Sequence, residues 1–166
     1  DFTGITKPLL EQTEIEDKKI IILGAGGLAR AIVYACNVYG GKVKILNRTL
    51  EKAEQIAKEF NCEFGQLEDY RKEEADIVIN ATSVGMQTNE SLLNAKDFSA
   101  QQVVVDLVYR PRITQFLKNA TQAGATIVTG DNMLLEQAYE QFKLFTGKNA
   151  PREVMQKALI EALSGE

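Results

Sequence analysis

The 166-residue chain predicts a doubly wound parallel α/β sheet with extra helices at its two ends, on three observations. Short runs of Ile and Val recur along most of the sequence. Each run is continuously apolar rather than alternating, as in strands covered on both faces by helices. Between the runs, apolar residues fall at helical spacing, and the links are short.

Taken in order, residues 19–23 (KIIIL) form the first strand and residues 28–39 the first helix of the alternation. Residues 42–46 and 50–60 repeat the unit, and residues 62–64 suit a further short strand. Residues 76–80 and 102–107 supply two more buried strands, followed by a helix over 111–123. A strand over 126–129 and a helix over 132–145 complete the alternation. Residues 3–12 and 151–163 stand outside it. In the latter, Val154, Met155, Ala158, Leu159, Ala162 and Leu163 make one apolar stripe, behind Pro151 at a position where a first-turn proline is tolerated. Either the stripe packs on this domain, or the outer segments belong partly to a neighbouring one.

Composition narrows the chemistry. A chain of this length buries roughly 70% of its unfolded surface and needs no staples. A net charge of −4 argues against a general polyanion binder such as a nucleic-acid module. With no histidine and only Cys36 and Cys62, the common zinc sites and every mechanism with a histidine base are excluded, so no metal is expected. No apolar run approaches the roughly 18–20 residues that span a bilayer. The cytoplasm is the expected compartment. The chain opens at Asp1 rather than Met, which predicts a piece of a longer or processed protein.

The first strand runs into "GAGGLARA". Gly24, Ala25, Gly26, Gly27, Leu28 and Ala29 make a G-x-G-x-x-A pattern between a strand and a helix. The first glycine permits the tight turn, and the second lets the backbone approach a pyrophosphate. The third small residue packs the helix against the strand, in the Rossmann manner. The helix N-terminus then faces the anion. The alternative is a tight turn without a ligand, and Arg30 either lies near the phosphates or faces solvent. About twenty residues on, the second strand ends in "NRT". An NAD site would place a carboxylate there for the ribose 2′-hydroxyl. Asn47, Arg48 and Thr49, with Lys52 one turn later, suit a 2′-phosphate instead, since Arg can hold it bidentately. Thr49 is also suited to cap the following helix.

With these two stretches the sequence resembles the shikimate dehydrogenase family, and three further stretches support the match. "NATSVGM" (80–86), "VVVDLVYRPRITQFL" (103–117) and "TGDNMLLEQAYEQFKLFTG" (129–147) resemble, in order, three segments of that family's cofactor domain. The resemblance implies a cofactor set that takes in Thr82, Ser83 and Val84, with Met86 at the nicotinamide end. It also implies Leu107 and Tyr109 near the nicotinamide and substrate, the Gly130 backbone at the nicotinamide amide, Met133 packed on the ring, and Gln137 on the substrate. For Tyr109, Met133 and Gln137 the alternatives are a structural tyrosine, ordinary core packing and a solvent-exposed amide. The opening "DFTG" is similar to the family's N-T-D-G-x-G segment, although Phe2 departs from it. On that alignment Asp1 is the carboxylate of a Lys-Asp catalytic pair and binds a substrate hydroxyl. The alternative is a terminal aspartate without a role.

The family's reaction, in aromatic amino acid biosynthesis, is reversible reduction of 3-dehydroshikimate to shikimate with NADPH, or the related quinate reaction. No stretch here resembles its N-terminal substrate domain, which carries the proton-transferring lysine. The expectation is therefore one NADP(H)-binding domain over 1–166, with 1–18 and 150–166 as helical segments that contact the absent domain. Such a chain binds cofactor but does not turn over by itself. A glutamyl-tRNA reductase-like cofactor domain and a non-catalytic NADP-binding module are the rival readings.

Overall fold

The computed structural model describes residues 3–164. Their order is α1 (Thr3–Leu10), β1 (Lys19–Leu23), α2 (Gly27–Val38), β2 (Lys42–Asn47), α3 (Leu50–Phe60) and β3 (Glu63–Gln66). There follow β4 (Ile77–Asn80), β5 (Val103–Asp106), α4 (Gln115–Gln122), β6 (Thr126–Val128), α5 (Gly130–Thr146) and α6 (Arg152–Ser164). Every pairing is parallel, in the spatial order β3-β2-β1-β4-β5-β6. Strand order therefore reverses between β1 and β4, and ligands of open α/β sheets bind outside the carboxyl ends at such a point.

The continuous Ile/Val runs are explained by two cores, one on each face. Ile20 and Ile22 join Ile45, Ile77, Ile79, Val103 and Val105 under the helices α1, α2, α3 and α5. Their neighbours Ile21, Leu23, Leu46, Val78 and Val104 point the other way, onto Phe116, Leu117 and Ala120 of α4 and onto Phe98. Each fully buried aliphatic side chain contributes roughly 1.5–3 kcal/mol from removal of apolar surface from water. Phe98 and Phe116 meet edge to face at 5.2 Å, holding the β4–β5 connection against α4.

Three predicted boundaries change, each for a local reason. The helix expected from 111 begins at Gln115, because the Thr114 hydroxyl caps it, accepting from Leu117 N at 3.3 Å. Helix α5 begins at Gly130 rather than at 132, with Thr129 as its N-cap residue rather than the end of a strand. The short strand beside β2 runs over Glu63–Gln66 and is an exposed edge, with only Gly65 buried.

The outer segments are both helical. Helix α1 lies on α5 and α2, and α6 lies on α5. The stripe of α6 is only partly covered: Met155, Leu159 and Leu163 are half-buried, whereas Val154 is 67% exposed. Among the described residues no helix is long and apolar enough to cross a membrane.

Candidate dinucleotide site

The glycine turn lies at the carboxyl end of β1. Gly24 has φ +108°, and a Cβ there would stand 2.6 Å from Thr82 Cγ2 and 3.1 Å from the Ala81 carbonyl carbon. Only glycine fits both the dihedral and the space. Gly26 and Gly27 are different: a Cβ on either would meet nothing within 4 Å. What they provide is an open approach to the first amides of α2, which have no partners within the helix. Ala29 is fully buried in the α/β core, the close packing expected of the third small residue.

A cleft of about 270 Å³ lies beside this turn, lined by Gly26, Gly27, Arg30, Lys52, Gln55 and Ile56. Its charged lining residues are both cations. Arg30 is exposed and ion-paired with Glu59, which links α2 to α3 across the surface. Asn47 Nδ2 donates to Thr49 O at 2.8 Å and closes the turn that presents Arg48. Arg48 and Lys52 are exposed, and among the described residues neither side chain has an ion-pair partner. Thr49 takes the N-cap position of α3 by its backbone, but its hydroxyl makes no capping bond, so the side-chain cap expected from sequence is absent. The asparagine amide is what closes this turn.

The loops after β4 and β5 are held by a buried polar network that sequence reasoning missed. Asn80 Nδ2 donates to Asp106 Oδ1 at 2.9 Å, and Asn80 Oδ1 accepts from Thr82 N at 3.0 Å and from the Thr82 hydroxyl at 2.7 Å. Val84 N in turn donates to Thr82 Oγ1 at 3.1 Å. Asp106 also accepts from Val108 N at 3.0 Å and from the Thr114 hydroxyl at 2.5 Å. Desolvation pushes the Asp106 carboxyl up to about 6, against the opposing pull of its three hydrogen bonds. The signal available was the ending of two apolar strands, "IVIN" and "VVVD", on a polar side chain at the ligand-binding edge.

Beyond this network Met86 and Tyr109 are exposed and line a concavity of about 690 Å³ with Thr88, Asn89, Arg110 and Pro111. Ser83 is exposed, and Val84 and Leu107 are half-buried. Gly130 is buried, and a Cβ on it would meet Leu107 O at 2.7 Å. Met133 is 4% exposed and packs in the core. Gln137 is half-buried, and α1 passes so near that a Cβ on Gly4 would collide with its side chain. Asp1 lies outside the described residues. The predicted residues thus fall along one edge, from Arg48 through the glycine turn and Thr82 to Tyr109 and Gly130.

Another concavity, about 750 Å³ around Lys19, Lys42 and Cys62, is at the opposite, amino edge of the strands, away from the glycine turn. Burial pushes the thiols of Cys36 and Cys62 up to about 12 and about 11, the latter also through Glu63, which favours the neutral thiol. Among the described residues no cluster of His, Cys, Asp and Glu is arranged to hold a metal ion.

Residues 7–128 match the family model of shikimate / quinate 5-dehydrogenase, and residues 132–160 that of the shikimate 5′-dehydrogenase C-terminal domain. The shikimate dehydrogenase (NADP(+)) of Methanococcoides burtonii is 41% identical over 92% of this chain and 58% of its own length. That of Pyrococcus abyssi is 40% identical over 98% of this chain and 62% of its own. The crystal structure of the Thermus thermophilus shikimate 5-dehydrogenase with NADP(H) and shikimate superimposes with a TM-score of 0.87, at 36% identity. It covers 96% of this chain and 61% of that one. The chain thus spans about three fifths of the length of these relatives.

Proposed function

The chain belongs to the shikimate / quinate 5-dehydrogenase family, and from that premise we propose that it is the NADP(H)-binding part of a shikimate dehydrogenase, which reversibly reduces 3-dehydroshikimate to shikimate. The observation that carries the cofactor assignment is an open glycine turn beside a cleft whose charged lining residues, Arg30 and Lys52, are both cations, with the unpaired Arg48 at the end of β2, the strand whose Leu46 O accepts from Gly24 N. The residues fit the group. The α2 amides at Gly26 and Gly27 would meet the pyrophosphate, and Arg48 and Lys52 would hold the 2′-phosphate, where a carboxylate would repel it.

When bound, the cofactor supplies a hydride to the ketone carbon. The chain's own part is to bind and aim. The Asn80–Asp106 network fixes the loops of Thr82–Val84 and Tyr109; Met86, Tyr109 and the Gly130 backbone would hold the nicotinamide end, and Gln137 would face the substrate. The roles of these residues follow the resemblance. Ketone reduction also needs a proton donor within hydrogen-bond reach of the carbonyl oxygen. Among the described residues, the cavity beside Tyr109 is lined by no carboxyl or ammonium group. We assign the proton to a lysine of a substrate domain that has no counterpart among these residues, with Asp1 as its partner carboxylate and the segments 1–18 and 150–166 against that domain. The 166-residue chain alone then binds NADPH without turning over shikimate.

Calorimetric titration with NADP+ and NAD+ tests the assignment. The expected result is at least tenfold tighter binding of NADP+; equal or reversed preference overturns it. Measurable NADP+ reduction by the chain with shikimate alone overturns the assignment of the proton.

A further inference from the structure

The loop that carries Tyr109 is joined to α5 by an ion pair, in which Arg112 Nε donates to Asp131 Oδ2 at 2.8 Å. Its two members are unequally placed. The Arg112 side chain is 58% exposed, whereas Asp131 is 3% exposed as a residue, and its Oδ1 has no hydrogen-bond partner in the structure. The hydroxyl of Thr129, two residues earlier, is likewise buried and unpaired. A half-satisfied buried carboxylate is a poor source of stability, because desolvation offsets much of what its partner returns.

What the pair spans gives it a purpose. Tyr109 stands on one side, and Met133 and Gln137 follow Asp131 on the other. Between them Gly130 lies so close to the loop that a Cβ would meet Leu107 O at 2.7 Å and Val108 O at 2.8 Å. Asp106 fixes the same loop to the sheet through Val108 N and Thr114. The loop is thus tied to β5 by hydrogen bonds and to α5 by charge.

We propose that Arg112 and Asp131 are a positioning pair for the hydride donor: they set the opening between the Tyr109 loop and the first turn of α5 that receives the nicotinamide ring. The inference rests on the dinucleotide reading above. The pair does not contact the adenosine end, which is held at the glycine turn and Arg48, and it acts through Tyr109 and the Gly130 backbone.

The test is a titration of the 166-residue chain with NADPH and with adenosine 2′,5′-bisphosphate, which lacks the nicotinamide half. Wild type is expected to bind NADPH at least tenfold more tightly than the bisphosphate. Arg112→Met is expected to lose most of that preference while holding the bisphosphate within twofold, and Arg112→Lys to recover a good part of it. If Arg112→Met does not fold, the double variant Arg112→Met/Asp131→Asn carries the same comparison, because it removes the unpaired buried charge. Bisphosphate binding with an unchanged NADPH preference in the variants, or a parallel loss of both ligands, overturns the positioning role and leaves the dinucleotide reading standing. So does equal affinity of wild type for the two. Failure of wild type to bind either ligand removes the dinucleotide reading and this one with it.

Discussion

The two ends of the candidate site are built in opposite ways. At the glycine turn and Arg48, polar groups stand free: open space over Gly26 and Gly27, and two cations with no partner among the described residues. At the Tyr109 end they are engaged with one another. Asp106 accepts three hydrogen bonds, Asn80 bonds on both sides of its amide, and Arg112 is bound to Asp131. Free groups supply affinity, since nothing need be broken when a phosphate arrives. Engaged groups supply position, since they hold loops where a reacting ring must lie. Substitutions at the first end should therefore cost affinity with little stability, and those at the second should cost stability first.

The largest expected effect is at Asp106. Asp106→Leu leaves Asn80, Val108 N and Thr114 buried with lost partners and should cost about 4 kcal/mol of unfolding free energy. Chemical denaturation checks it; a loss under about 1 kcal/mol would show that the network is not what fixes the loops. Asp106→Asn gives a subtler reading through pH. The native carboxyl keeps its proton to about pH 6, whereas an ordinary aspartate loses it near 3.8. The native state thus binds the extra proton in between, and wild-type stability should fall relative to Asp106→Asn by up to about 3 kcal/mol as pH rises from about 4 to about 6.5. A difference that stays flat across that window would mean an unperturbed carboxyl.

At the open end, Arg48→Ala should weaken NADP+ binding by about 2 kcal/mol, roughly thirtyfold, with NAD+ affinity nearly unchanged and stability within about 0.5 kcal/mol. Equal losses for both cofactors would remove Arg48 from 2′-phosphate recognition. The smallest effect is expected at Lys52→Ala, about two- to fivefold in NADP+ affinity, as befits an exposed charge, and it should shrink in high salt. Titration at two ionic strengths reads it.

The open end was legible in the sequence because its signals are local. Glycines stand beside a strand, and Asn-Arg-Thr follows at a fixed distance. The engaged end was not, because its bonds join residues far apart: Asn80 to Asp106 across 26 positions and Arg112 to Asp131 across 19. The late start of α4 has the same cause, since the Thr114 hydroxyl that caps it is held by Asp106 eight residues back. Strands were read well because burial on both faces leaves continuous Ile and Val runs. The stripe of α6 carries less information, for its spacing marks an apolar face without saying what covers it: Met155, Leu159 and Leu163 are half-buried and Val154 remains in solvent.

One carboxylate near the centre of α5 has a reach beyond its own helix. Glu136 takes Lys7 of α1 at 2.7 Å and both terminal nitrogens of Arg152, the first residue of α6, at 2.8 and 3.0 Å. Those pairings hold its carboxyl below the usual range despite the cost of burial. The first and last helices of the described chain therefore share a single counter-charge. Acid strong enough to neutralise it should loosen both together, and a truncation that removes Lys7 or Arg152 should be felt at the opposite helix, beside Gln137.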